Sequence, residues 1–154
     1  MITFPETFIQ PHSCTNDCLP ALPASSLHID MNVTQQCLGA LGESLAARHL
    51  MHDGWKIIAR NFRTRYGELD LIALEPHNQL VFIEVKTRRA NRSAEFGYPE
   101  EAVTRTKQIH LRRAESVWLS THPLTFFSPE VRNDVVSITV FPDRIALRHL
   151  RGAF

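Results

Sequence analysis

Two short apolar runs separated by a five-residue polar turn constrain this chain more than any other feature. Leu69 to Leu74 and Leu80 to Val85 flank Glu75-Pro76-His77-Asn78-Gln79, a pattern that predicts a β-hairpin. Glu68 and Asp70 lie two apart in the first strand, and Glu84 and Lys86 two apart in the second. Strand side chains alternate faces, so each couple shares a face. If Leu74 pairs with Leu80, then Leu69, Leu71 and Ala73 meet Val81, Ile83 and Val85 on one apolar face. The same register sets Asp70 opposite Glu84, and Glu68 opposite Lys86, on the other face. A slip of one residue destroys both matches.

Two opposed carboxylates repel unless a positive charge lies between them. A divalent cation meets that need, and oxygen-only ligands favour Mg²⁺ or Mn²⁺ over zinc. An ion held by Asp70 and Glu84 can polarise a phosphoryl oxygen and acidify water. Lys86 then lies beside that water or the scissile phosphate, where an ammonium stabilises developing negative charge. The competing reading is an exposed strand face with cross-strand ion pairs worth ~0–1 kcal/mol each. Spacing alone does not separate the two.

The rest of the chain sets the context. Its 154 residues, 44% hydrophobic and 21% charged, fit one globular domain with a real core. No apolar run approaches the ~20 residues of a membrane span, and no secretory signal is visible, so cytoplasmic residence is expected. Cys14, Cys18 and Cys37 lack a second Cys/His pair at zinc-ligand spacing and read as free thiols. Net charge is only +1, but residues 56–113 hold 12 basic against 7 acidic side chains. That excess surrounds the acidic pairs, as a phosphodiester site requires, although many solvated surfaces look similar.

Residues 1–35 carry no Lys or Arg and are broken by Pro5, Pro11, Pro20 and Pro23. They read as a disordered N-terminal extension, or as the product of a start assigned ahead of Met31. Residues 36–52 form a helix with Leu38, Leu41, Leu45 and His49 on one stripe, flanked by Ala46 and Leu50, and Glu43 at its rim. A strand over Trp55–Arg60 and a basic loop with Arg63 and Arg65 precede the hairpin. A second helix starts at Pro99-Glu100-Glu101, where proline and acids suit the first turn, and continues to about Ser120. Its apolar stripe of Val103, Leu111, Ala114 and Trp118 is interrupted by Lys107, which either snorkels outward or reaches the same phosphate. Strands over Val135–Phe141 and Ile145–Leu150 complete the order αβββαββ, an α/β fold with a mixed sheet.

Several motifs now line up in order. Gly42-Glu43, Ala59 to Arg63, Gly67 to Ala73, Val81 to Arg88, and Phe96-Gly97 through Glu101-Ala102-Val103 resemble the YraN family of predicted endonucleases. Asp134-Val135-Val136 and Ala153-Phe154 resemble that family's ending. The likeness covers roughly residues 36–154. The family is similar to the restriction-endonuclease-like superfamily, whose mixed β-sheet is flanked by helices and whose signature is an acid followed by (D/E)-x-K. The resemblance implies Asp70 and Glu84 as metal ligands and Lys86 as the catalytic lysine. It matches Glu43 to the helix-borne glutamate of archaeal Holliday-junction resolvases. Glu68 would stand behind the ligands. Leu69 replaces the proline often written before the first acid.

The expectation is therefore a Mg²⁺- or Mn²⁺-dependent endonuclease acting on DNA, with branched or structured DNA as one candidate substrate. Arg63, Arg65, Arg88, Arg89 and Lys107 would hold the phosphate backbone. Analogy with junction resolvases, which cut two strands symmetrically, suggests a homodimer. A non-catalytic nucleic-acid-binding module that keeps the nuclease fold is the alternative, and RNA is the third option because no residue here is seen to read a 2′-hydroxyl.

Overall fold

A computed structural model describes residues 34–90, 103–122, 130–142 and 144–154. The order is α1 (Gln35–His52), β1 (Lys56–Thr64), β2 (Gly67–Leu74), β3 (Leu80–Arg89), α2 (Arg105–Thr121), β4 (Val131–Val140) and β5 (Ile145–Leu150). The expected αβββαββ succession stands. Residues 1–33 of the N-terminal extension and the helix start at Pro99-Glu100-Glu101 lie outside the described residues.

The five strands form one sheet in sequence order. Every neighbour is antiparallel except β3 and β4, which run parallel. A parallel pair needs a long crossover, and α2 lies within it. The sheet separates two apolar layers. On one face α1 packs Leu38, Ala46, Ala47 and Leu50 against Leu71, Ala73, Val81 and Ile83. On the other α2 packs Leu111, Ala114 and Trp118 against Ile72, Leu80, Phe82 and Val135. Burial on both faces is why the central strands read as nearly continuous apolar runs.

Local chemistry fixes the helix ends. Thr34 caps α1 by accepting from the Cys37 N–H at 3.2 Å, and Gly54, with φ +82°, lets the chain turn out at its far end. Thr104 caps α2 through the Lys107 N–H at 3.3 Å. The described helix begins at Arg105, because a capping threonine requires extended backbone.

The buried stripe of α1 also differs from expectation. Gly42, Ala46 and Ala47 face the sheet beside Leu38 and Leu50, whereas Leu41, Leu45 and His49 are only half-buried. Small residues win that face because the helix lies so close to β3. A Cβ at Gly42 would overlap Thr87 Oγ1 and lie 2.9 Å from Thr87 Cβ.

Strand β1 extends beyond Arg60 to Thr64. Arg63 is therefore a strand residue rather than a loop residue, and Arg65 and Tyr66 form the tip of a β1–β2 hairpin closed by Thr64 and Gly67. Asn61 interrupts β1 with φ +52°, a conformation asparagine tolerates better than most side chains. Phe62 and its partner Leu69 consequently join the α2-side layer. Leu69 thus leaves the face of Leu71 and Ala73 to which strict alternation assigned it.

Candidate functional site

The predicted hairpin register holds over Leu71–Leu74, which pair with Ile83–Leu80. The ladder then stops. β2 remains paired with β1 as far as Gly67, and β3 with β4 as far as Arg89. The sheet forks between Leu71/Ile83 and the ends of those strands, and the fork is where the acidic residues lie.

Asp70 and Glu84 are the first residues beyond the last rung. They are not ladder partners, which corrects the direct opposition expected from the register. Asp70 instead turns its carboxylate across the gap, and its Oδ2 accepts the Val85 N–H at 2.8 Å. Glu68 does not meet Lys86 either. Its ladder partner is Arg63, whose Nε donates to Glu68 Oε2 at 3.3 Å. Once the strands diverge, β1 rather than β3 is the neighbour within reach.

Glu84 is buried, with only 4% of its surface exposed. Its Oε1 accepts from Lys86 Nζ at 2.7 Å and pairs with Lys107 Nζ at 3.3 Å. Its Oε2 is buried with no hydrogen-bond partner among the described residues. A buried carboxylate oxygen without a donor is costly. Burial raises the Asp70 carboxyl, and the Glu84 charge adds to it. The Val85 N–H and Lys107 pull the other way, and the result stands at about 7.

Glu43 enters from α1. Burial raises its carboxyl, against a hydrogen bond from Asn61, with Glu68 and Glu84 adding repulsion. Gly42 allows this approach: the close contact with Thr87 brings the first half of α1 onto the strand that carries Glu84 and Lys86. Neither Gly42 nor Asn61 was singled out from sequence as a support of the site. Asparagine within a β-rich stretch was the available signal, since strands rarely use it.

The fork thus gathers Glu43, Asp70, Glu84, Lys86 and Lys107. The other basic residues take separate positions. Arg63 is held by Glu68, Arg65 donates to the Tyr66 hydroxyl at 2.6 Å, Arg88 donates to Thr139 at 3.1 Å, and Arg89 is exposed at the end of β3.

The donors fit a hard divalent cation. They are carboxylate oxygens, one of them orphaned, beside an acid that its neighbour's charge discourages from ionising. Among the described residues no three His, Cys, Asp or Glu side chains converge into a complete cage. Mg²⁺ does not need one, since it is commonly held by one or two carboxylates and keeps several waters.

Residues 42–138 match the model of the uncharacterised protein family UPF0102. The chain belongs to that family, which is the YraN family. A UPF0102 protein of Bifidobacterium longum subsp. infantis is 44% identical over 125 residues, spanning 81% of this chain and 98% of that one. Another from Syntrophomonas wolfei is 49% identical over 117 residues, 76% of this chain and 96% of the relative. A third, from Caldanaerobacter subterraneus, is 37% identical over 125 residues, covering 79% and 98%. The matched UPF0102 region contains every residue of the fork. Among the described residues, no helix is long and apolar enough to cross a membrane.

Proposed function

We propose that this UPF0102 protein is a metal-dependent endonuclease that hydrolyses phosphodiester bonds in DNA. The observation that carries the reading is the unpartnered buried Oε2 of Glu84 beside the raised carboxyl of Asp70. Mg²⁺ or Mn²⁺ held by Asp70 and Glu84 would supply charge compensation and Lewis-acid polarisation of a phosphoryl oxygen.

The protein's own groups account for the rest. Lys86 and Lys107 place two ammonium groups at one edge of Glu84, where they can bind the phosphate and offset charge that develops as water adds. Burial makes Glu43 a better base than an ordinary surface carboxylate, so it is suited to accept a proton from the attacking water. The arginines of the β1–β2 hairpin and the end of β3 would hold flanking phosphates, contacts that orient the chain without reading sequence. Branched or structured DNA, and a homodimer that cuts two strands, remain part of the proposal.

The test is cleavage of duplex, flap and four-way-junction DNA with Mg²⁺, comparing the parent with Asp70→Ala and Lys86→Ala. We expect each substitution to lower the rate by about 10²–10³-fold or more, the scale for loss of one group that stabilises transition-state charge. Equal cleavage by parent and variants would assign the activity elsewhere. Salt-sensitive DNA binding with no cleavage under any divalent ion would identify a binding module instead.

A further inference from the structure

The two closing motifs, Asp134-Val135-Val136 and Ala153-Phe154, take no part in the chemistry above, yet the fold joins them. β5 ends at Leu150, opposite Val135, and the chain continues beside the start of β4. The Gly152 N–H donates to Asp134 Oδ1 at 2.9 Å, and the Ala153 N–H donates to the Asn133 carbonyl at 2.7 Å. These two bonds deliver Phe154 to the α2-side layer. There its ring lines a small cavity with Leu69, Leu111 and Phe82, and the same cavity is lined by Asp70, Glu84 and Glu115.

The floor of that cavity is polar where the ring is not. Glu115 is 6% exposed and bonded to the Asn133 side chain, and Glu84 lines the same cavity. Were the ring removed, space would open behind the acidic pair. Water would enter it, and Glu84 would gain room to turn away from its two lysines.

We propose that Phe154 is a positioning residue for the acidic pair. Set down beside Asn133 and Asp134, its ring packs in the cavity that Asp70 and Glu84 also line, and so limits how far the two carboxylates can turn. The inference rests on the reading of those two acids as the metal-holding pair. It adds that the segment after β5 belongs to the site although it carries no reactive group.

The Val85 amide gives a readout that needs no metal, because its N–H donates directly to Asp70. Hydrogen exchange and amide chemical shifts are compared in the full chain for the parent, Phe154→Ala, Phe154→Leu and Leu147→Ala. Leu147 packs in the α1-side layer and controls for general loosening. Phe154→Ala should speed Val85 exchange selectively, and Phe154→Leu should restore it. Mn²⁺ titration calorimetry should show affinity weakened by about 10-fold in Phe154→Ala, the scale for losing support behind a metal ligand. An unchanged Val85 amide in Phe154→Ala, or an equal change in Leu147→Ala, overturns the proposal. A parent chain that binds no Mn²⁺ overturns the metal reading instead, while the Val85 comparison still decides the role of Phe154.

Discussion

Glu84 and Asp134 lie on adjacent strands, one rung apart in the parallel β3–β4 ladder, and both are buried. Their surroundings are opposite in kind. Asp134 receives Arg132 through two nitrogens at 2.8 and 3.1 Å, His149 at 2.8 Å and the Gly152 N–H at 2.9 Å. Burial alone would raise its carboxyl, but the bonds from His149, Arg132 and Gly152 outweigh burial and hold it below the ordinary range. Glu84 receives its two lysines on one oxygen and no donor on the other. A carboxylate saturated with fixed donors serves as an anchor. One left short of donors beside a second acid has coordination to offer, and that contrast separates the part of this molecule that builds the fold from the part suited to chemistry.

The largest expected effect falls on the anchor. Asp134→Ala leaves the Arg132 guanidinium, the His149 ring and the Gly152 N–H without their shared acceptor. Breaking such a buried network from one side costs about 3–5 kcal/mol, to be read as a lowered urea midpoint. Glu84→Gln should leave the midpoint unchanged or raise it, since the amide removes a poorly satisfied charge. If both substitutions destabilise equally, the distinction between anchor and reactive acid is wrong.

The second effect is a difference in the sign of pH dependence. The folded Asp70 carboxyl stands at about 7, above its ordinary 3.8, so between those values the native chain holds a proton that the unfolded chain has released. Its contribution to stability is therefore lost as pH rises from about 4 through 7. Asp70→Asn should flatten that fall by on the order of 2–4 kcal/mol in metal-free protein. Asp134 acts in the other direction. Its lowered carboxyl stabilises the native state above pH 3.8 and loses that contribution as pH falls. Urea midpoints collected from pH 3 to 8 in chelator check both slopes, and an unaltered slope between pH 4 and 7 in Asp70→Asn would contradict the assignment.

What could be read from sequence divides along the same line. The hairpin was legible because alternation and turn length fix register together, and Leu71–Leu74 pair with Ile83–Leu80 as that argument requires. Lys107 was legible as an interruption of an apolar stripe, and it does reach Glu84. The fork was not, because nothing in Leu69-Asp70-Leu71 marks the point where β2 follows β1 instead of β3. A backbone irregularity beside it, the left-handed conformation of Asn61, sits on another strand. Glu68 was assigned to Lys86 for the same reason. Glu115 and Phe154 escaped because their roles depend on Asn133, whose backbone and side chain hold partners distant in sequence. The anchor around Asp134 likewise unites residues from β4, β5 and the turn after β5 and leaves no local pattern.

The smallest expected effect tests how the fold side governs the site side. Gly42 touches no reacting group, yet its missing Cβ is what lets α1 rest on Thr87 and carry Glu43 to the fork. Gly42→Ala must push the helix from β3 or displace Thr87. Overpacking of this kind costs about 1–3 kcal/mol, partly offset because alanine favours the helix by roughly 1 kcal/mol. Stability should therefore fall by no more than about 2 kcal/mol, while Mg²⁺-dependent cleavage falls further than this loss accounts for, because Glu43 has moved. Adding Thr87→Ala removes the overlapping hydroxyl but keeps the Cβ at 2.9 Å, so the double variant should recover cleavage in part. A Gly42→Ala variant that cleaves as the parent does would mean that Glu43 acts from a position the helix contact does not control, and its proposed role as proton acceptor would have to be given up.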